Sequence, residues 1–369
     1  QHYEMIYGAL YNYHYLEQGN TAVDAWTLSN NMLINDILKY NVYDTGGQPL
    51  IGQDGKLNPN AKLGNVITGT DGKKYMIKPD DWQEEAYKNS IRQEYSINIS
   101  GGTDRASFFA SMGYLDDQGI IDNSSYKRIT ANLKSDYQAK KWLKVGGSIM
   151  FTNVVSSVAQ GYTTPANNSG NIFAFTSLMA PIYPVYIRDE NGKIIIDKYG
   201  MKTYDYGKGE MGLERPYMSA ANPLQEISLN DDSTTANVFN LHGFVDIIIL
   251  PELKVTINAS DYLRESRGNY YINKLYGQNA SNNGMLRKTS YRYNNLNFQQ
   301  LINYSNKFGK HSVEGLLGHE TESRRTAFLR GDKNGVFASD LHELNTTITL
   351  VDAQSYSNNY ITEGYFIRG

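Results

Sequence analysis

Cysteine is absent from all 369 residues. Without a thiol there is no disulfide scaffold, thiolate metal centre, Fe–S cluster or Cys nucleophile, and the absence fits an envelope protein. A surplus of one charge is missing as well. The chain has 35 Lys and Arg against 38 Asp and Glu, a net −3, so it offers nucleic acid no basic face or stripe. Nor does any apolar run approach the roughly 20 residues of a membrane-spanning helix; the most apolar short stretch, Phe244 to Leu250, contains Asp246. An α-helical membrane protein is thereby excluded. Tyrosine (30 residues) and glycine (33) are abundant, at a mean hydropathy of −0.52. That composition suits many strands that bury one face. It suits equally a β-barrel in lipid with tyrosines at both interfaces.

Within the first 90 residues, Tyr3, Ile6, Tyr7, Leu10 and Tyr13 recur at helical spacing, as do Met32, Leu33, Ile37 and Leu38. One or two short helices are expected there. A turn-rich segment with Gly46-Gly47, Asp54-Gly55 and Asp71-Gly72 follows. From about residue 93 the period changes to two. Tyr95, Ile97 and Ile99 alternate with Ser96, Asn98 and Ser100. The pattern recurs from Phe108 to Tyr114, Ile129 to Tyr137, Leu143 to Phe151 and Phe239 to Ile249. It returns from Leu253 to Ala259, Leu296 to Tyr304 and Val313 to Leu317, and a ninth strand begins near Ile361.

The connections near 101–105, 139–142, 250–252 and 306–310 are of hairpin length. Between these hairpins lie a loop near 116–125 and longer ones near 154–235, 262–290 and 322–360. Short turns at one end and long loops at the other are the layout of an outer-membrane barrel. Lys134, Asp136, Lys144, Asp246 and Lys254 are then expected to face a wet interior.

No enzyme constellation emerges. Gly207-Lys208-Gly209-Glu210-Met211-Gly212 matches G-x-G-x-x-G but lacks a preceding buried strand, and Pro216 would cut short a following helix; it reads as a flexible loop. His319-Glu320 and His342-Glu343 are not followed by a second His four positions on, so no zincin face forms. There is no G-x-S-x-G. Asp189-Glu190-Asn191-Gly192 reads as a hairpin turn rather than an EF-hand. No catalytic residue, metal or cofactor is expected.

Trp82, Tyr126, Tyr137 and Trp142 flank expected strand ends, where interface aromatics anchor a barrel. Tyr162, Tyr183, Tyr186, Tyr204 and Tyr206 fall in the longest loop. They either hold that loop together, the simpler reading for so long a segment, or contact a substrate or a lid protein.

Several ordered segments carry a resemblance. They include Asp81-Trp82-Gln83-Glu84-Glu85, Tyr95-Ser96-Ile97-Asn98-Ile99-Ser100-Gly101-Gly102 and Phe108-Phe109-Ala110-Ser111-Met112-Gly113-Tyr114 running on to Gly119. Trp142-Leu143-Lys144-Val145-Gly146, Pro181 to Tyr186 and Asn222-Pro223-Leu224 complete the set. With them the chain resembles the SusC/RagA-type TonB-dependent transporters of the Gram-negative outer membrane. The resemblance implies an all-β, antiparallel transmembrane β-barrel of about 22 strands, of which this chain holds eight or nine. Residues 1–90 would be a helix- and turn-rich extracellular segment after a plug, and 91–369 the early barrel with its long loops. An open edge in lipid leaves backbone groups unsatisfied, so either further strands complete the barrel or eight close alone around a side-chain-filled interior with no transport lumen.

The implied function is TonB-energised import of an oligosaccharide or peptide, with a SusD-like surface lipoprotein as lid and outer-membrane lipid and lipopolysaccharide as surroundings. Two other readings remain open: a β-rich, glycan-binding adhesin, soluble or surface-exposed, and a small outer-membrane barrel enzyme.

Overall fold

The alternation is realised as a single nine-stranded antiparallel sheet in the computed structural model, which describes residues 1–159, 170–277 and 279–369. Its strands are β1 (Arg92–Gly102), β2 (Ala106–Gln118), β3 (Ser125–Lys140), β4 (Leu143–Ser157) and β5 (Asp231–Leu250). β6 (Leu253–Ile272), β7 (Met285–Phe308), β8 (His311–Val336) and β9 (Thr347–Arg368) continue it. Neighbours in sequence are neighbours in space, and β1 and β9 form the two open edges.

Register sorts side chains onto two faces, because directly paired residues in a pleated sheet point the same way. Ile99, Ala110, Leu133, Ile149, Leu241, Asp261, Leu296, Ser323 and Ile361 stand in one row across all nine strands. One residue along, on the opposite face, the row reads Ser100, Phe109, Lys134, Ser148, His242, Ser260, Asn297, Glu322 and Thr362. Leu, Ile and Phe crowd the first face, and amides and charges the second.

The strands run further than their hydrophobic alternation predicts. The connections expected near 154–235, 262–290 and 322–360 shrink to residues 158–230, 273–284 and 337–346. The added lengths, such as Arg264 to Asn269 and Glu322 to Arg330, are Arg-rich and largely polar on both faces. A ladder of backbone hydrogen bonds holds them, and their few apolar residues, such as the adjacent Phe328 and Leu329, do not alternate with polar ones, so no period-two signal marks them.

The described residues of 1–88, 160–229 and 276–280 form a compact unit of their own, and those of 89–159, 230–275 and 281–369 form the sheet unit. The first unit therefore joins the N-terminal segment to a stretch more than 70 residues away in sequence, between β4 and β5, so its extent differs from the continuous segment 1–90. Helices α1 (His2–Asn12) and α2 (Ala22–Met32) each run on into a π-helical turn. Of the expected apolar stripes, Tyr3, Tyr7, Leu33 and Leu38 are buried and Ile6, Leu10 and Ile37 pack against them, whereas Tyr13 is exposed. Thr21 caps α2 by accepting from the Asp24 amide.

A short helix α3 (Trp82–Ala86) is capped by Asp81, which accepts from the amides of Gln83 and Glu84. α3 inserts Trp82 against Phe175 of α4 (Ile172–Leu178), ring centroids 5.0 Å apart. The remainder is a series of tight hairpins, including the expected turn at Asp189, whose carboxylate accepts from the amides of Asn191 and Lys193. Gly207-Lys208-Gly209-Glu210-Met211-Gly212 is another such loop, with Lys208 bridged to Glu214. Gly207 has φ of +65°, and a Cβ there would lie 2.2 Å from Nε of Arg215, so the site requires glycine.

Candidate functional site

The polar face of the sheet gathers charged, amide and aromatic side chains in facing rows. Lys134, Asp136, Lys144, Asp246 and Lys254 all lie on it, as the alternation predicts. Lys144 pairs with Asp136 (3.3 Å) and Lys254 with Asp246 (3.8 Å). Further rungs cross between strands: Asn258 Nδ2 donates to Gln299 Oε1 (3.1 Å), Asn297 Nδ2 to Glu320 Oε1 (2.5 Å) and Asn295 Nδ2 to Glu322 Oε1 (2.9 Å). Glu322 in turn accepts twice from Arg324, both at 2.8 Å. Such cross-strand pairs fix the side chains while leaving amide and carboxylate edges free.

Three successive rows of this face carry aromatics that the sequence pattern did not single out. Tyr291, Phe328 and Tyr356 share one row, Tyr293 stands in the next, and Tyr262 and Tyr360 share the third. Tyr262 meets Tyr293 edge to face at 6.0 Å, Phe328 stacks on Tyr356 at 5.2 Å, and Arg324 lies over Tyr360. Tyr291 and Tyr293 share the parity of Asn295 and Asn297, which was the available signal. It is invisible while 262–290 and 322–360 are taken as loops.

The residues singled out from sequence separate into distinct groups. Tyr137 on the apolar face and Trp142 in the β3–β4 turn are exposed at the short-turn end of the sheet, where interface aromatics are expected. Tyr126 is not on the apolar face: it shares the parity of Lys134 and lies on the polar face, near the long connections. Trp82 is no strand-end anchor either. It is buried in the core of the other unit, its indole N–H donating to the Tyr183 carbonyl (2.9 Å). Tyr183, Tyr186 and Tyr206 are buried and Tyr204 is half-buried against Tyr186. Packing of their own unit, the simpler reading, accounts for them, and buried rings present no face to a ligand. Tyr162 lies outside the described residues. Among the described residues no three His, Asp or Glu side chains converge as a metal site requires.

Sequence reasoning also missed the buried polar centre of the loop-built unit. Asp205 is fully buried; Gly207 N donates to it (2.8 Å), as does Tyr40 Oη (3.2 Å). Asn222 Nδ2 ties the Asp205 and Val185 carbonyls together (3.0 and 3.2 Å). Burial pushes the Asp205 carboxyl up to about 6, against the opposing pull of the Arg215 charge and the Gly207 amide. Its folded proton affinity thus exceeds the ordinary 3.8. Stability is complete below that lower value and falls as pH rises through 6, by up to about 3 kcal/mol. Amides from Val185 to Arg215 should therefore exchange faster, after correction for intrinsic rates, at pH 7 than at pH 4.5. Asp205→Asn should flatten that difference, and equal wild-type protection at both pH values would refute the assignment.

No family model matches the chain. The TonB-dependent receptor P39 of Formosa agariphila is 26% identical over 303 residues, covering 77% of this chain and 26% of the receptor. The TonB-dependent receptor SusC of Bacteroides thetaiotaomicron is 22% identical over 303 residues, covering 78% of this chain and 28% of that protein. Among solved structures, the RagAB peptide importer in its closed-closed state superposes with a TM-score of 0.63 at 19% identity, over 91% of this chain and 35% of the matched one. A second RagAB structure gives 0.61 at 20% identity, over 78% and 31%. The chain spans about a quarter of the length of the curated relatives it matches. Sequence kinship, the nine-stranded sheet with its alternating turns and loops, and the shared fold lead to one conclusion: this chain is a relative of the SusC/RagA-type TonB-dependent receptors and carries part of their antiparallel transmembrane β-barrel.

Proposed function

We propose that this chain forms part of the wall of an outer-membrane nutrient importer, energised through TonB and served by a SusD-like lipoprotein lid. The observation that carries this reading is the pairing of the sheet's two faces. Leu, Ile and Phe rows suited to acyl chains back directly onto rows of hydrogen-bonded amides, charges and aromatics suited to a wet lumen. Residues 1–88 with the β4–β5 connection then form an extracellular unit that the lid covers. The cargo is an oligosaccharide or a peptide: rows of aromatic rings with adjacent amide and guanidinium groups take sugar hydroxyls and peptide bonds alike, and the matched RagAB structures are of a peptide importer.

The aromatic rows give the test. In the receptor at its full natural length, replacing Tyr293 and Tyr360 together by Ala should weaken cargo binding about tenfold, as two lost ring contacts imply. Uptake of labelled oligosaccharide and peptide pools by intact cells, with and without TonB, reads both affinity and cargo class. Unchanged uptake by a variant that still migrates heat-modifiably would exclude these rings from the path. TonB-independent uptake would sink the importer reading itself.

A further inference from the structure

The face that carries the apolar rows does not remain apolar to its end. Toward the long connections, five successive rows each add one basic side chain: Arg325 in the row of Leu263 and Asn294, then Arg292, Arg267, Lys288 and Lys333. Arg292 pairs with Glu265 (3.4 Å) and Lys288 with Glu343 (3.5 Å). Lys333 Nζ donates to the carbonyls of Leu344 (3.0 Å) and Thr347 (2.7 Å). Arg267 and Arg325 are exposed, with no hydrogen-bond or ion-pair partner among the described residues. Between these cations lies a groove of about 650 Å³ whose walls include Arg267, Lys288 and Lys333 together with Leu329, Leu344 and Leu350. Leu329 is 59% and Leu350 63% exposed. Exposed leucines are poorly served by water, and the unpaired guanidinium beside them leaves its donors available to an anion.

We propose that this groove holds the phosphate groups of an anionic glycolipid of the outer leaflet, its acyl chains lying along Leu329 and the apolar rows beyond. The inference rests on the reading that the apolar face meets lipid. Arginine recognises phosphate through paired N–H donors, and Arg267 has those donors free. Lys288 adds a point charge whose partner, Glu343, is exposed and weakly held. The apolar rows on the same face supply the continuous greasy surface that acyl chains need. On the opposite face Lys144, Lys254 and Arg324 are instead paired with Asp136, Asp246 and Glu322.

The test uses the full-length receptor purified in detergent, with native mass spectrometry reading bound lipid. The probes are diphosphoryl lipid A, dephosphorylated lipid A and inorganic pyrophosphate. Wild type should retain diphosphoryl lipid A at least tenfold more strongly than the Arg267→Gln/Lys288→Gln/Arg292→Gln variant. Arg264→Gln/Lys134→Gln, on the polar face, should bind like wild type. Equal retention by the triple variant overturns the site, as does equal binding of the dephosphorylated lipid. Full competition by pyrophosphate at equal concentration would reduce it to a simple anion site and overturn the lipid. If the triple variant does not assemble, Arg267→Gln alone, an exposed and unpartnered position, should still lower retention measurably; no change there is equally fatal. A receptor soluble without detergent would instead defeat the membrane reading on which the proposal stands.

Discussion

Arg215→Ala should collapse the loop-built unit while leaving the nine-stranded sheet assembled. Only 1% of Arg215 is exposed. Its Nη2 donates to three carbonyls, those of Tyr206 (2.8 Å), Met218 (3.1 Å) and Ala221 (2.6 Å). The guanidinium carbon also lies 5.7 Å from the Trp82 ring and 5.5 Å from the Phe175 ring. One side chain therefore joins α3, α4 and the hairpins between residues 204 and 221. Truncation strands two buried carbonyls at about 1–3 kcal/mol each, frees the part-buried one of Met218 and opens a cavity, for a loss on the order of 5 kcal/mol. It also removes the positive charge that offsets burial of Asp205, so the Asp205 carboxyl should hold its proton to still higher pH. Hydrogen exchange across residues 1–88 and 170–229 of the full-length protein measures the loss. Wild-type protection in that variant would show that the arginine is incidental.

The second large effect is expected at Asp80. Its carboxylate takes both arms of Arg188, at 2.5 and 2.9 Å, and also accepts from the Val185 amide (2.8 Å). Both side chains are almost wholly removed from solvent, at 9% and 11% exposure. Removing one partner of a buried pair leaves the other as an uncompensated charge, a penalty of about 3–5 kcal/mol. Asp80→Ala should lose that much from the same unit, whereas Asp80→Ala/Arg188→Met should recover most of it by discarding the stranded charge. Limited proteolysis of the single and double variants distinguishes the outcomes. A double variant as sensitive as the single one would show that the backbone contact to Val185, rather than the ion pair, is what matters.

The two faces of the sheet were legible in the chain because alternation with period two is itself the physical cause of facing. Ile97 and Ile99 are separated from Asn98 by nothing but the pleat, and Lys134, Asp136, Lys144, Asp246 and Lys254 all came out on one side for that reason. Strand ends were less legible. Beyond the apolar rows, pairing is maintained by backbone hydrogen bonds that any residue except proline can make, so the stretch from Arg264 to Asn269 resembles a loop until its partners are known. The aromatic rows of Tyr262, Tyr293 and Tyr360 were hidden with it.

The buried centre of the other unit was out of reach for a different reason. Tyr40 meets Asp205 across 165 residues and Trp82 meets the Tyr183 carbonyl across 101. No local pattern encodes such pairings, and a loop tyrosine that packs inward looks in sequence like one that binds a sugar. The chain alone determined an alternating, cysteine-free antiparallel wall with short turns and long loops, because those features depend on neighbours one or two positions apart. Tertiary structure alone decided which aromatics are core and which line the polar face. It also decided where Arg215 and Asp80 find their partners, since those contacts arise only when segments distant in sequence are brought together.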